Sequence, residues 1–159
     1  MNEPKVAEER IKTWLDRPED GYCIDRVPDQ VSGMIGSRNI CDFIFFKSPD
    51  FYYIESKTTQ HDRFDFLQIS GYPTYDKTYQ YGGLLSKSKI ANVHGVIILL
   101  YLSYQRAFII DINEIERLTQ SGKKSLNIKK IDSWGIRYHE IVTIPSRKKL
   151  LEYTGVFEL

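Results

Sequence analysis

The stretch HGVIILLYLS, residues 94–103, constrains the fold more than any other part of the chain. It is continuously apolar and β-branched-rich, with none of the alternation that marks a strand with one wet face. Such a run fits a central strand covered on both sides. It is far too short to span a bilayer. A strand of this kind needs helices on both faces of its sheet, and the flanking sequence supplies them. An approximate apolar face (Val6, Ile11, Trp14, Leu15) predicts a helix over 4–16, ended by Arg17-Pro18. A second helix is expected over 76–91 despite Gly82 and Gly83, and a third over 112–121. YCIDRV (22–27), RAFIIDI (106–112) and EIVTIP (140–145) read as further strands. Residues 28–39, with Gly33 and Gly36, read as a loop, and 58–74 as irregular. Ser146 is placed to cap a last short helix over 147–153. The order predicts one mixed α/β domain over residues 1–159, helices packed on one central sheet.

Between the first strand and the apolar run lies CDFIFFKSPDFYYIESK, residues 41–57. It reads as a hairpin, strands 40–46 and 51–57 joined by KSPD, yet it carries Asp42, Glu55 and Lys57 inside its strands. Glu55 and Lys57 are two residues apart and share a face. With Ser48-Pro49 as the turn, Asp42 lies opposite Glu55; with Pro49-Asp50, it lies opposite Lys57. Either register gathers all three on one patch, opposed Cβ atoms about 5 Å apart. A three-residue loop would send Asp42 to the other face. Two opposed carboxylates repel, and a hard divalent cation with oxygen ligands offsets that best. Such an ion acidifies a bound water and polarises a phosphoryl oxygen, with Lys57 beside it to steady growing charge. An ordinary cross-strand salt bridge is the plainer alternative.

Net charge is only +1, so a polyanion would have to be met by local patches. Candidates are Lys123, Lys124, Lys129 and Lys130; Lys87 with Lys89; Arg147, Lys148 and Lys149; and Arg38 in the glycine loop. Each is equally readable as a solvated face. Cys23 and Cys41 form no CxxC and read as buried free thiols of a reducing compartment. The N-terminus is charged from residue 3 and lacks the apolar core of a signal peptide. His61, His94 and His139 have no metal-protease spacing; His94 reads as structural, and His61, four residues past Lys57, could reach the cleft. No GxSxG or GxxxxGK[ST] occurs.

Asp42 followed by Glu55-Ser56-Lys57 resembles the PD-(D/E)XK nuclease signature. The flanks resemble its RecU-type Holliday junction resolvases and their short phage-like relatives. The matching pieces are RVPD, GSRNICDF, YYIESKTT, QYGGLL, HGVIILLY, AFIIDI and GKKSLNIKKI, across about residues 5–131. The resemblance implies a restriction-endonuclease-like mixed sheet flanked by helices. It implies a Mg2+-dependent endonuclease, with Mn2+ able to substitute, acting on four-way junctions in recombination and repair. It also implies a homodimer and a cytoplasmic protein of a bacterium or phage-infected host. The metal-binding acids fall on Asp42 and Glu55, the lysine on Lys57 and an active-site glutamine on Gln80. A first-helix glutamate completing the site falls on Glu8 or Glu9; Glu8 shares a face with Ile11 and Leu15. The segment 60–80 corresponds to a region that projects as a stalk into the junction. Its Phe64, Phe66, Tyr72, Tyr75 and Tyr79 could stack on bases, meet a dimer partner, or cover the domain's own core. A longer basic N-terminal arm is missing relative to RecU proteins, and the last 28 residues have no counterpart. Three other readings stay open: a nuclease of plain duplex or flaps, a non-catalytic junction-binding protein, and a protein-interaction domain.

Overall fold

The computed structural model describes residues 3–28, 39–135, 138–142 and 157. Six strands form one mixed sheet: β1 (Tyr22–Arg26), β2 (Phe43–Lys47), β3 (Asp50–Thr59), β5 (Val93–Tyr101), β6 (Arg106–Asp111) and β8 (Tyr138–Val142), side by side in that order. β3 and β5 run parallel; every other neighbouring pair is antiparallel. A parallel pair needs a long crossover, and β4 (Arg63–Asp65) and α2 (Gln80–Lys87) lie within it. β4 pairs with β7 (Ser125–Asn127) in a separate two-stranded ribbon.

The apolar run forms β5 as expected, buried from Gly95 through Tyr101. Period-two geometry deals its side chains to two cores. Val96, Ile98 and Leu100 meet Phe43, Phe45 and Ile54, under Ala7, Ile11, Trp14 and Leu15 of α1 (Glu3–Leu15). Ile97, Leu99 and Tyr101 meet Phe108 and Ile110, under Tyr81 and Leu84 of α2 and Ile112, Ile115 and Leu118 of α3 (Ile112–Gln120). Gly95 lets α2 approach closely: a Cβ there would stand 2.6 Å from the Leu84 carbonyl oxygen. Burying one large aliphatic side chain in either core contributes roughly 1.5–3 kcal/mol.

Three expectations change. α2 begins at Gln80, not 76, because the Asp76 carboxylate takes the Thr78 N–H (2.9 Å) and hydroxyl (2.7 Å), an Asx-turn that competes with helix. The stretch 58–74 is not irregular throughout: β3 runs on to Thr59, β4 follows, and Phe66–Gln68 form a 3₁₀ turn. Of the readings open for 60–80, Phe64, Phe66 and Tyr72 take the one that covers the domain's own core. Phe64 and Phe66 are fully buried. The Tyr72 hydroxyl meets Thr119 Oγ1 at 2.7 Å, and Tyr75 donates to Glu116 Oε1 at 2.5 Å. Both cysteines are free, but Cys23 is exposed, since it faces away from the core that buries Tyr22 and Ile24 on either side of it in β1; only Cys41 is buried. Gly33, Gly36, Arg38, the helix over 147–153 and the cluster Arg147, Lys148 and Lys149 lie outside the described residues, as does the side chain of His139. No helix among the described residues is long and apolar enough to cross a membrane.

Candidate active site

The hairpin takes the first of the two registers: Lys47 pairs with Asp50 and Phe43 with Ile54, so Ser48-Pro49 is the turn. Asp42 stands one position beyond the ladder. Its N–H bonds the Ile54 carbonyl (2.8 Å) and its own carbonyl takes the Val27 N–H (2.7 Å), fixing its backbone between β1 and β3. The Asp42 side chain turns toward β3, where Oδ2 accepts the Ser56 N–H at 2.8 Å. Glu55 lies on the α2–α3 face and is 4% exposed. Its Oε1 accepts from Gln80 Nε2 at 2.8 Å and faces Lys57 Nζ at 3.4 Å. Asp42, Glu55, Lys57 and Gln80 therefore converge, from the residue before β2, from β3 and from the first turn of α2.

Two buried carboxyls this close favour a proton on one of them. Glu55 holds it. Burial foremost, then the Asp42 charge, pushes its pKa up to about 8, and Lys57 offsets this only in part. Asp42 is also raised, chiefly by burial, against the Ser56 N–H and the Lys57 charge. Cys41 beside them is pushed to about 12 by burial and by both carboxylates, so this thiol is inert at neutral pH. Two crowded acids that retain a proton when no cation is present form a donor set suited to a hard dication. Among the described residues no third His, Cys, Asp or Glu joins them in a metal-binding cluster. Mg2+ needs only one or two protein carboxylates, the rest of its shell being water and phosphate.

Glu8 is not gathered with the pair. Its carboxylate accepts from Arg26 Nη2 at 2.7 Å, and the Arg26 charge in turn lowers the Asp42 pKa, so Glu8 acts one step removed. Arg26 lies within RVPD but has no role assigned from sequence; its type and its position just before the acid-bearing hairpin are the available signal. Lys87 Nζ lies 5.4 Å from the Tyr53 ring centroid, on the face that carries Glu55. Lys89 is exposed just past α2. The other candidate lysines flank β7: Lys123 sits over Trp134, Lys129 pairs with Asp62 at 3.7 Å, and Lys124 and Lys130 are exposed. His94 is structural, bonded to Asp50 at 2.9 Å and stacked on Tyr52. Exposed His61 lines a cleft of about 400 Å³ with Asp62, Arg63, Asp65, Gln68 and Asn127.

Sheet order, mixed strand directions and helices on both faces define a restriction-endonuclease-like α/β fold. The structure resembles that of Hjc, a Holliday junction resolvase from the archaeal hyperthermophile Archaeoglobus fulgidus, with a TM-score of 0.51 and 12% identity. The match covers 79% of this chain and 88% of that one. At this identity the likeness is one of fold. No family model and no curated protein sequence matches the chain.

Proposed function

We propose that this chain is a metal-dependent endonuclease that resolves four-way DNA junctions, as a homodimer with two symmetry-related sites. The observation that carries this reading is the convergence of Asp42, Glu55, Lys57 and Gln80 on a fold shared with a junction resolvase. Asp42 and Glu55 would hold the Mg2+ or Mn2+ ion; when bound, it would supply an acidified water and a polarised phosphoryl oxygen. The residues themselves do the following. The Ser56 N–H orients Asp42. Gln80 and Lys57 both address Oε1 of Glu55, which leaves Oε2 for the ion or for a proton. The Lys57 ammonium, mostly shielded from solvent, lies where it can steady negative charge on the phosphate or hold the attacking water. Lys87, Lys89, Lys123, Lys124, Lys129 and Lys130 would contact phosphates, so affinity should fall with salt. RecU-type kinship belongs to the same proposal and rests on the quoted motifs.

Fluorescent four-way junctions and matched duplexes, offered side by side with Mg2+, test this. Cleavage of the junction alone is expected. Equal cleavage of duplex would make the chain a general duplex nuclease, and no complex with either at low salt would remove nucleic acid from the account.

A further inference from the structure

We propose that Ser70 and Gly71 form a clasp that positions Gln80, and through it the Glu55 carboxylate; the catalytic consequence rests on the nuclease reading above. A glutamine amide has a donor end and an acceptor end that are easily exchanged. Here one neighbour settles the choice. The Ser70 backbone N–H, which can only donate, bonds Gln80 Oε1 at 3.0 Å. The Nε2 end must then face Glu55, which it meets at 2.8 Å. If the amide turned over, two donors would face each other and Glu55 would lose the Gln80 donor, keeping only Lys57.

Ser70 also holds the backbone from which Gln80 projects. The first N–H groups of a helix lack partners within it, and Tyr79, at the N-cap of α2, offers no side-chain cap. Ser70 takes that role from outside the helix: its Oγ accepts the Gln80 N–H at 3.2 Å and its carbonyl the Tyr81 N–H at 3.0 Å. Gly71 makes the approach possible. Its φ is +78°, and a Cβ there would stand 2.3 Å from Tyr79 Cβ. The clasp is anchored on both sides, by fully buried Ile69 and by the Tyr72–Thr119 hydrogen bond. Ser70 itself is exposed, so its side chain can be changed without opening the core. Ser70 is thus a positioning residue.

The test compares Ser70→Ala, Ser70→Thr and Gly71→Ala, each alone and with Gln80→Ala, after thermal melts show which variants fold. In the metal-free protein, the Gln80 side-chain amide is followed by NMR. Gly71→Ala, whose Cβ would push Tyr79 away from the Ser70 backbone, should move its resonances toward those of a free amide; Ser70→Ala keeps the N–H that fixes the side-chain amide and should move only the Gln80 backbone N–H, which Ser70→Thr should leave in place. In calorimetry with Mn2+ and in junction cleavage, Gly71→Ala should cost about tenfold to a hundredfold, the range for groups that orient a metal ligand, and Ser70→Ala less than that. Neither should cost anything further once Gln80 is alanine. Unmoved side-chain amide resonances in folded Gly71→Ala, an unmoved Gln80 backbone N–H in Ser70→Ala, or losses that add to that of Gln80→Ala, would overturn the proposal. If the wild type takes up no Mn2+ and cuts no junction while the amide still answers to Gly71→Ala, the clasp stands and the nuclease reading falls.

Discussion

Glu55 and Glu116 are both carboxylates on the α2–α3 side of the sheet, and their surroundings push them in opposite directions. Burial drives both upward. At Glu116 three donors more than offset it: Tyr75, Tyr81 and Gln120 all bond its two oxygens, and its pKa ends below the usual carboxylate value. At Glu55 the nearest carboxyl is Asp42, both Gln80 and Lys57 address the same oxygen, and the pKa ends at about 8. One acid is saturated with donors and ties the 70–80 segment to α3. The other is left short of positive charge in a buried place. A fold that settles the charge at Glu116 and leaves it unsettled at Glu55 stores a binding demand at the second site, and a divalent cation is the simplest group that meets it.

Four experiments would sharpen or break this contrast. Asp42→Asn removes one of the crowded charges and should lower junction cleavage about 10³-fold while leaving junction binding largely intact, as a gel shift beside a cleavage assay would report. A comparable loss of binding would mean that Asp42 serves the scaffold.

The second is a pH series on metal-free protein. Glu55 binds its proton more tightly folded than unfolded, so stability is fully present below its ordinary value of 4.5 and is lost as pH rises toward about 8. The loss should be a few kcal/mol, since each tenfold gain in proton affinity is worth about 1.4 kcal/mol. Denaturant melts in chelator at pH 6 and pH 9 would read it. Glu55→Gln should flatten the slope, and saturating Mn2+ should raise stability most at high pH.

Glu116→Ala, third, leaves the fully buried Tyr81 ring with an unaccepted hydroxyl. It should cost about 2 kcal/mol, or roughly 4–8 °C in Tm for a chain of this size, with metal affinity nearly unchanged. A fall in Mn2+ affinity matching that of Asp42→Asn would erase the distinction between the two acids. The smallest effect belongs to exposed Lys124. Lys124→Ala should reduce the salt slope of junction binding by about one, with cleavage of bound junction unaltered.

What the sequence disclosed and what it hid divide along the same physical line. β5 was legible because a continuous apolar run has few other solutions, and the hairpin because period-two alternation and a Ser-Pro turn fix which side chains share a face. The grouping of Asp42, Glu55 and Lys57 followed from parity alone, whichever register was taken. Choosing between registers needed the turn itself. The β4–β7 ribbon was invisible because it joins residues 63–65 to 125–127, a pairing that no local pattern announces. The Glu8–Arg26 bond and the Ser70–Gln80 clasp stayed hidden for the same reason. Each depends on elements distant in sequence meeting at one sheet edge or one helix end. Helix α2 was placed too long because the Asp76 Asx-turn competes with a helical pattern that periodicity alone continues through.

The most direct test of the central claim is a crystal of this protein soaked in Mn2+ at pH 8, read by anomalous scattering. The account predicts one ion shared by the Asp42 and Glu55 carboxylates, lost in Asp42→Asn. Cleavage-competent protein with no ion between those two side chains, or with Mn2+ bound elsewhere and unaffected by Asp42→Asn, would contradict it.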